Sequence, residues 1–254
     1  MKAIVLAAGY ATRLRPLTDT IAKPLLPIAE RPMVDWILDR IAEVEDVDSV
    51  HVVTNSVYAD SFGSWAAGRD VIVHDDGTRT NDDRLGAIGD IQFVVERTGG
   101  NDDLLVIAGD NLFEFSLASF VRFWAGKGVA SAVACRDVGS RELAKKYGIV
   151  DLDDDDRIVG FVEKPEDPPT TFIATASYLY HRAHVPLIAE YLRSGNAPDQ
   201  PGRLVEWLYK REPVYAYRFD ERWFDIGDRE QLLEADNALR ARHGLPHRDA
   251  YSVA

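Results

Sequence analysis

In the first half of the chain, short apolar runs rich in Val and Ile take turns with segments whose apolar residues recur every three to four positions. Residues 3–8, 50–54, 71–74 and 104–108 are the strand-like runs. Residues 33–44, 58–67, 88–95 and 117–124 carry the helical spacing. In the first of these helical segments Val34, Ile37, Leu38 and Ile41 fall on one face. Strands that alternate with helices return to the sheet in the same direction, because each helix crosses over one of its faces. The run at residues 3–8 is apolar at every position, as a strand covered on both sides must be. The pattern predicts an α/β fold: a mostly parallel, Rossmann-like mixed sheet with helices on both faces.

Beyond residue 130 strands dominate. Residues 131–137, 147–151, 158–163, 173–180 and 214–219 are strand-like, and residues 185–192, 204–210 and 229–242 are helical. Asp153–Asp156 predicts a hairpin turn between two of these strands. The tail after Gly244 has little pattern and is expected to fray. One mixed α/β domain with a β-rich second lobe accounts for the whole.

A chain of 254 residues with 46% apolar and 28% charged residues buries its own core, which excludes a disordered or disulfide-built protein. Cys135 is the single cysteine, so no intrachain disulfide forms. The net charge of −13 argues against nucleic acid as a partner, since affinity for its backbone comes from clustered Lys and Arg. No apolar run reaches the ~18 residues of a membrane span. The apolar start of the chain leads straight into Gly9-Tyr10-Ala11-Thr12-Arg13, which suits a first strand and its loop better than a leader peptide. The expected location is the cytoplasm.

The densest chemistry lies in Leu6-Ala7-Ala8-Gly9-Tyr10-Ala11-Thr12-Arg13-Leu14-Arg15-Pro16-Leu17-Thr18, followed by Lys23-Pro24. A strand ends, small residues let the backbone turn, and basic residues follow. The free N–H groups of such a turn suit phosphate oxygens, Arg13 offers a fork and Lys23 a point charge. The segment matches neither GxxxxGK[ST] nor GxGxxG. A surface loop with ordinary charges is the alternative on spacing alone.

This segment resembles the signature of the sugar-1-phosphate nucleotidyltransferases, roughly G-x-G-x-R-L-x-P-x-T and then K-P. Gly9, Arg13, Leu14, Pro16, Thr18, Lys23 and Pro24 match it, and Ala11 stands where the family has its second glycine. Further similarities follow in the family's order. Leu85-Gly86-Ala87-Ile88-Gly89 is similar to L-G-T-A-G, Gly109-Asp110 to the family's G-D after a strand, and Trp223-Phe224-Asp225-Ile226-Gly227 to W-x-D-x-G. Tyr147-Gly148, Glu163-Lys164-Pro165 and the strand around Thr175 are similar to the sugar-phosphate site, with Ala176 in place of a family glycine.

The resemblance implies the nucleotide-diphospho-sugar transferase type of fold. Residues of about 1–130 would bind the nucleotide and 131–228 the sugar phosphate, with 229–254 a closing helix and tail. No left-handed β-helix domain of hexapeptide repeats is expected. It implies Arg13, Lys23 and Asp110 as catalytic residues. Leu6, Ala8, Gly9, Tyr10, Ala11, Thr12, Asn81, Gly86 and Asp110 would line the nucleotide, with Gly86 against the base and Asn81 at its edge. Tyr147, Gly148, Glu163, Lys164, Thr175 and Trp223 would line the sugar phosphate. Mg²⁺ would be held by Asp110 and Asp225, as hard oxygen ligands suit it.

The implied reaction joins a nucleoside triphosphate to a sugar 1-phosphate and releases pyrophosphate. The alternatives are a cytidylyltransferase acting on phosphocholine, and a non-catalytic nucleotide- or sugar-phosphate-binding subunit. Family members are often dimers or tetramers, so a homo-oligomer is the implied assembly. Asp151, Asp153 and Asp155 have calcium-loop spacing, but Asp156 and Val162 occupy the positions of its glycine and glutamate, so a solvated turn is expected instead. His181 and His184 lack further zinc ligands at characteristic spacing, His243 and His247 flank Gly244 and Pro246, which break a helix, and Cys135 reads as core.

Overall fold

The first strand is apolar at every position because it runs through the middle of the sheet. In the computed structural model, which describes residues 1–253, it is β1 (Lys2–Leu6). It is followed by β2 (Pro27–Ile28), β3 (Arg31–Pro32), α1 (Met33–Ile41), β4 (Ser49–Thr54), α2 (Ala59–Ala66), β5 (Ile72–Asp75), α3 (Ala87–Thr98), β6 (Leu104–Ala108), β7 (Asn111–Phe113) and α4 (Leu117–Ala125). The second half runs through β8 (Ser131–Asp137), α5 (Arg141–Ala144), β9 (Gly148–Leu152), β10 (Ile158–Glu163), β11 (Phe172–Tyr180), α6 (Pro186–Arg193), α7 (Pro201–Leu208), β12 (Val214–Arg218), β13 (Trp223–Asp225) and α8 (Arg229–Arg242).

Nine strands make one sheet. β1 pairs in parallel with β4 and β6, and β4 with β5. The second half joins through β11, which runs antiparallel to β6, β8 and β9, while β12 lies parallel on β8. Alternation along β1 builds a core on each face. Ala3 and Val5 pack with apolar residues of α1, α2, α4 and α8, while Ile4 packs with those of α3, α6 and α7. Helices therefore cover both faces, as the sequence pattern predicts. Among the described residues no helix is long and apolar enough to cross a membrane.

β11 is where the two halves fork. Residues 173–174 pair with β9 and residues 177–180 with β6, so the strand's middle lies between two different neighbours. The mouth of that fork is the cleft described below. The predicted turn at Asp153–Asp156 is present: Asp153 accepts the backbone N–H groups of Asp155 and Arg157 at 3.0 and 2.9 Å.

Three features depart from the sequence pattern. β2, β3, β7 and β13 are two or three residues long, too short to show a period. α7 starts at Pro201, three residues before its apolar stripe, with the proline in the first turn, where its missing N–H costs nothing. The tail does not fray as expected. The Tyr251 hydroxyl donates to the Pro27 carbonyl at 2.7 Å, and Asn237 pairs with the Arg248 backbone in both directions. These bonds tie residues 245–253 to α8 and to β2, an anchoring that a search for apolar spacing does not detect.

Beneath the β7 connection Phe115 is fully buried, with ring centroids 4.5 Å from Phe113 and 4.4 Å from Phe219. Phe115→Ala is expected to cost about 3–5 kcal/mol of stability. A urea titration of the purified variant checks this, and a loss under 1 kcal/mol (about half a unit of midpoint) would show that the site refills.

Candidate active site

The carboxyl end of β1 delivers Ala7–Ala11 to the mouth of the sheet. Buried Asn55, just past β4, fixes this stretch by donating to the Ala8 carbonyl at 2.8 Å. Ala11 adopts φ 44° and ψ 42°, the left-handed region that favours glycine. Alanine makes this turn at roughly 1–2 kcal/mol of strain. Thr18 holds it there by donating to the Ala11 carbonyl at 2.9 Å. From the next turn Arg13 reaches across the chain. Its two terminal nitrogens lie 3.3 and 3.4 Å from where a Cβ on Gly227 would stand, so a glycine leaves room for the guanidinium.

Asp110 lies between β6 and β7, and its backbone carbonyl accepts the Ile226 N–H at 3.1 Å. β13 pairs antiparallel with β7, and the register sets Asp225 opposite Asn111. Asn111 is buried and its amide serves both carboxylates, donating to Asp110 at 2.9 Å and to Asp225 at 3.3 Å. Its own oxygen accepts the Trp223 indole N–H at 2.9 Å, which fixes the orientation of the amide. Lys23 donates to the other oxygen of Asp110 at 2.6 Å. Burial pushes the Asp110 carboxyl up, and the Lys23 ammonium more than offsets it, so the group sits below the usual carboxylate range. Burial and the charge of Asp110 push Asp225 the other way, up.

This pair suits a divalent cation that keeps water and phosphate among its ligands. Two carboxylates converge on one amide, and one of them is held under repulsion that a cation relieves. No group of three or more His, Cys, Asp or Glu side chains placed to hold a metal occurs among the described residues, so the donors do not fit a closed zinc site. The residues present fit Mg²⁺.

The β-rich half supplies the opposite wall. The Tyr147 ring packs edge-on against Trp223, with centroids 5.3 Å apart, and lies beside Asp225 on the cavity wall. Glu163 ends β10 with its carboxylate between two glycines. A Cβ on Gly202, in the first turn of α7, would stand 1.9 Å from Glu163 Oε2, and one on Gly148 would stand 2.9 Å from it. Burial pushes the Glu163 carboxyl up. Lys164 follows in the left-handed region at φ 49°, exposed, with its N–H bonded to the Tyr147 carbonyl at 3.1 Å.

These groups surround one cavity of about 460 Å³. Leu6, Ala8, Gly9, Tyr10, Ala11, Arg13, Lys23, Asn81, Gly86, Asp110, Tyr147, Gly148, Glu163, Lys164, Trp223 and Asp225 all lie on its wall. Thr12 and Thr175, expected beside them, do not. Thr12 is exposed at the start of the turn that carries Arg13. Thr175 points into the sheet, where its hydroxyl donates to the Ala134 carbonyl at 2.8 Å; strand alternation gives the wall Ala174 and Ala176 instead.

The cavity also holds residues that the sequence did not single out, among them Arg84, Asp90, Lys146, Tyr178, Asp199 and Gln200. Arg84 grips Asp199 with two nitrogens, one at 2.9 Å. Beside them the Ile88 N–H donates to the Pro198 carbonyl at 2.8 Å, and a Cβ on Gly86 would collide with that carbonyl. Gly86 also has φ 78°, so only glycine fits this junction between α3 and the segment before α7. Arg84 stands next to the Leu85-Gly86 motif and was within reach of it. Asp199 is 115 residues away in sequence and carries no local signal.

The chain matches the family model described as Nucleotidyl transferase over residues 2–242. It is 32% identical over 255 residues to UTP–glucose-1-phosphate uridylyltransferase of Synechocystis sp., covering 95% of this chain and 64% of that protein. It is 31% identical over 241 residues to mannose-1-phosphate guanylyltransferase of Mycobacterium tuberculosis, covering 93% of this chain and 64% of that protein. The chain thus spans 54–64% of the length of the curated relatives it matches. A structure of UDP-glucose pyrophosphorylase with UDP-glucose superposes with a TM-score of 0.78 at 23% identity, over 95% of this chain and 98% of that one. A Bacillus anthracis protein assigned as a glucose-1-phosphate thymidylyltransferase superposes with a TM-score of 0.81 at 24% identity, over 100% of this chain and 98% of that one. These two likenesses are of fold. With nearly its whole length matched by the family model, the chain belongs to the nucleotidyl transferase family, the family of the sugar-1-phosphate nucleotidyltransferases.

Proposed function

We propose that the chain joins a nucleoside triphosphate to a sugar 1-phosphate, giving a nucleotide-sugar and pyrophosphate. One observation carries this above the others: Lys23, Asp110, Asn111 and Asp225 form a single hydrogen-bonded group in the cavity, with the β1 loop on one side of it and Glu163-Lys164 on the other. An anion arriving from each side meets charge in the middle. The cavity also presents Arg13, Lys146 and Lys164, cations with no ion-pair partner among the described residues, in a chain of net charge −13.

An oxygen of the sugar 1-phosphate attacks the α-phosphorus of the triphosphate. The new P–O bond forms as the bond to the β-phosphate oxygen breaks, and pyrophosphate leaves with that electron pair. No proton need move, so the protein's work is alignment and charge stabilisation. The backbone of Gly9–Ala11 and the Arg13 fork hold the triphosphate. Lys23 sits where charge accumulates on the oxygens around the α-phosphorus. Lys164 orients the attacking phosphate, and Glu163 accepts hydrogen bonds from sugar hydroxyls. Asp110 and Asp225 would hold Mg²⁺, which when bound neutralises phosphate charge.

Pyrophosphate release tests the reading directly, with Mg²⁺, each common nucleoside triphosphate and a panel of sugar 1-phosphates plus phosphocholine. Release with one sugar phosphate is expected; release with phosphocholine alone, or nucleotide binding without release, would replace it with a different acceptor or a binding subunit. Lys23→Ala and Asp225→Ala are each expected to lose about 10²–10³-fold in kcat while remaining folded, with Lys23→Ala melting below the parent because it leaves Asp110 uncompensated. Near-normal turnover in either would remove the assigned role.

Gly202→Ala tests the sugar side. The added Cβ fits only if the Glu163 carboxylate moves away. Its KM for the sugar 1-phosphate is expected to rise about tenfold, the worth of one hydrogen bond to a charged group, with the KM for nucleotide unchanged. Equal rises in both constants would point to general damage to the cleft.

A further inference from the structure

Where the first turn of α3 meets the cavity, two buried carboxyl groups face each other. Asp90 is 6% exposed and Asp76 is 8% exposed. One oxygen of Asp76 accepts both the backbone N–H and the hydroxyl of Thr78 at 2.7 Å. Tyr10, from the β1 loop, donates to that same Thr78 hydroxyl at 3.0 Å. The second oxygen of Asp76 and Oδ1 of Asp90 are buried without a partner.

Two buried carboxyls acting on each other this strongly do not both carry charge, and a single proton shared between them would satisfy both unpartnered atoms. Two donors from Thr78 favour the charge on Asp76, so the proton rests with Asp90. Burial first, and Asp76 second, push the Asp90 carboxyl up to about 8. Asp90 thus reaches the cavity wall neutral; its Oδ1 is the buried, unpartnered atom, which leaves the second oxygen as the acceptor for the cavity.

The charges around it restrict what that acceptor can meet. Asp76 and Asp199 both add negative potential at Asp90, which turns phosphate away. An uncharged group bearing an N–H suits the position. On the same wall Gly86 and Ala87 offer little side chain, which leaves room for a flat ring. A nucleobase has both the ring and the N–H.

We propose that Asp90 is a specificity-determining residue that reads the base of the nucleotide, its free carboxyl oxygen accepting a hydrogen bond from a base N–H. The proposal rests on the nucleotidyl-transfer reading above. Asp76, Thr78 and Tyr10 are positioning residues that settle which way the Asp90 carboxyl is turned and where its proton lies. Base edges that present only acceptors meet an acceptor here and are rejected.

Calorimetric titration of the full chain and its variants with ATP, GTP, CTP, UTP, dTTP and inorganic tripolyphosphate tests this. The parent is expected to prefer one nucleotide. Asp90→Ala is expected to weaken that nucleotide about tenfold, leave tripolyphosphate within about twofold, and shrink the preference among bases. Asp90→Asn donates to Asp76 and keeps a carbonyl oxygen for the cavity, so its preference is expected to stay within about threefold of the parent. If Asp90→Ala does not fold, Asp90→Ser, which can still donate to Asp76 but withdraws the acceptor, is expected to show the same loss. An unchanged base preference in the Ala or Ser variant, or an equal loss of tripolyphosphate, overturns the role of Asp90 and leaves the reaction standing. Loss of preference in the Asn variant overturns it as well. A parent that binds no nucleotide overturns the nucleotidyl-transfer reading, and this one with it.

Discussion

The site depends on one short piece of β-structure. β7 and β13 are three residues each, yet their register is what brings Asp225 to Asp110. Two carboxylates brought together under partial burial repel, and a ribbon this short has little hydrogen bonding to oppose that. Asn111 and Lys23 supply the rest. The Asn111 amide spans the two acids, and the Lys23 ammonium takes one oxygen of Asp110. Trp223 then locks the amide from the neighbouring strand. The arrangement compensates Asp110 and leaves Asp225 under repulsion, the kind of local conflict that proteins keep at working sites.

The two halves of the chain meet across that ribbon. β11 parts from β6 to pair with β9, and the space between them receives the end of β1 from one side and Glu163 from the other. A second seam closes the far side, where Arg84 grips Asp199 and α3 docks on Pro198 through its second residue. The cleft is therefore bounded by contacts between segments far apart in sequence, and its shape depends on the assembled sheet.

That separation explains what could be read from the sequence. The sheet, its helices and both core faces were legible because apolar period is a local property: Val34, Ile37 and Ile41 pack where their spacing puts them. Most of the site residues were legible because they sit in short motifs, and nearly all of them line the cavity. Thr175 was not, since the motif gave the strand without saying which of its alternating side chains faces the opening. Asp76 and Asp199 escaped for another reason. Each matters only through a partner brought to it by the fold, and neither has a neighbour in sequence that marks it. Asn111 is the sharpest case: beside a motif aspartate it reads as an ordinary turn residue, while in the structure it is the link between two motifs.

Ala11 makes the loop after β1 depend on its surroundings. A glycine occupies the left-handed region at little cost, whereas alanine there is under strain that other contacts must offset. Thr18, whose hydroxyl donates to the Ala11 carbonyl, is one of those contacts. The shape of the loop therefore rests on a threonine further along the chain as well as on the residue that makes the turn.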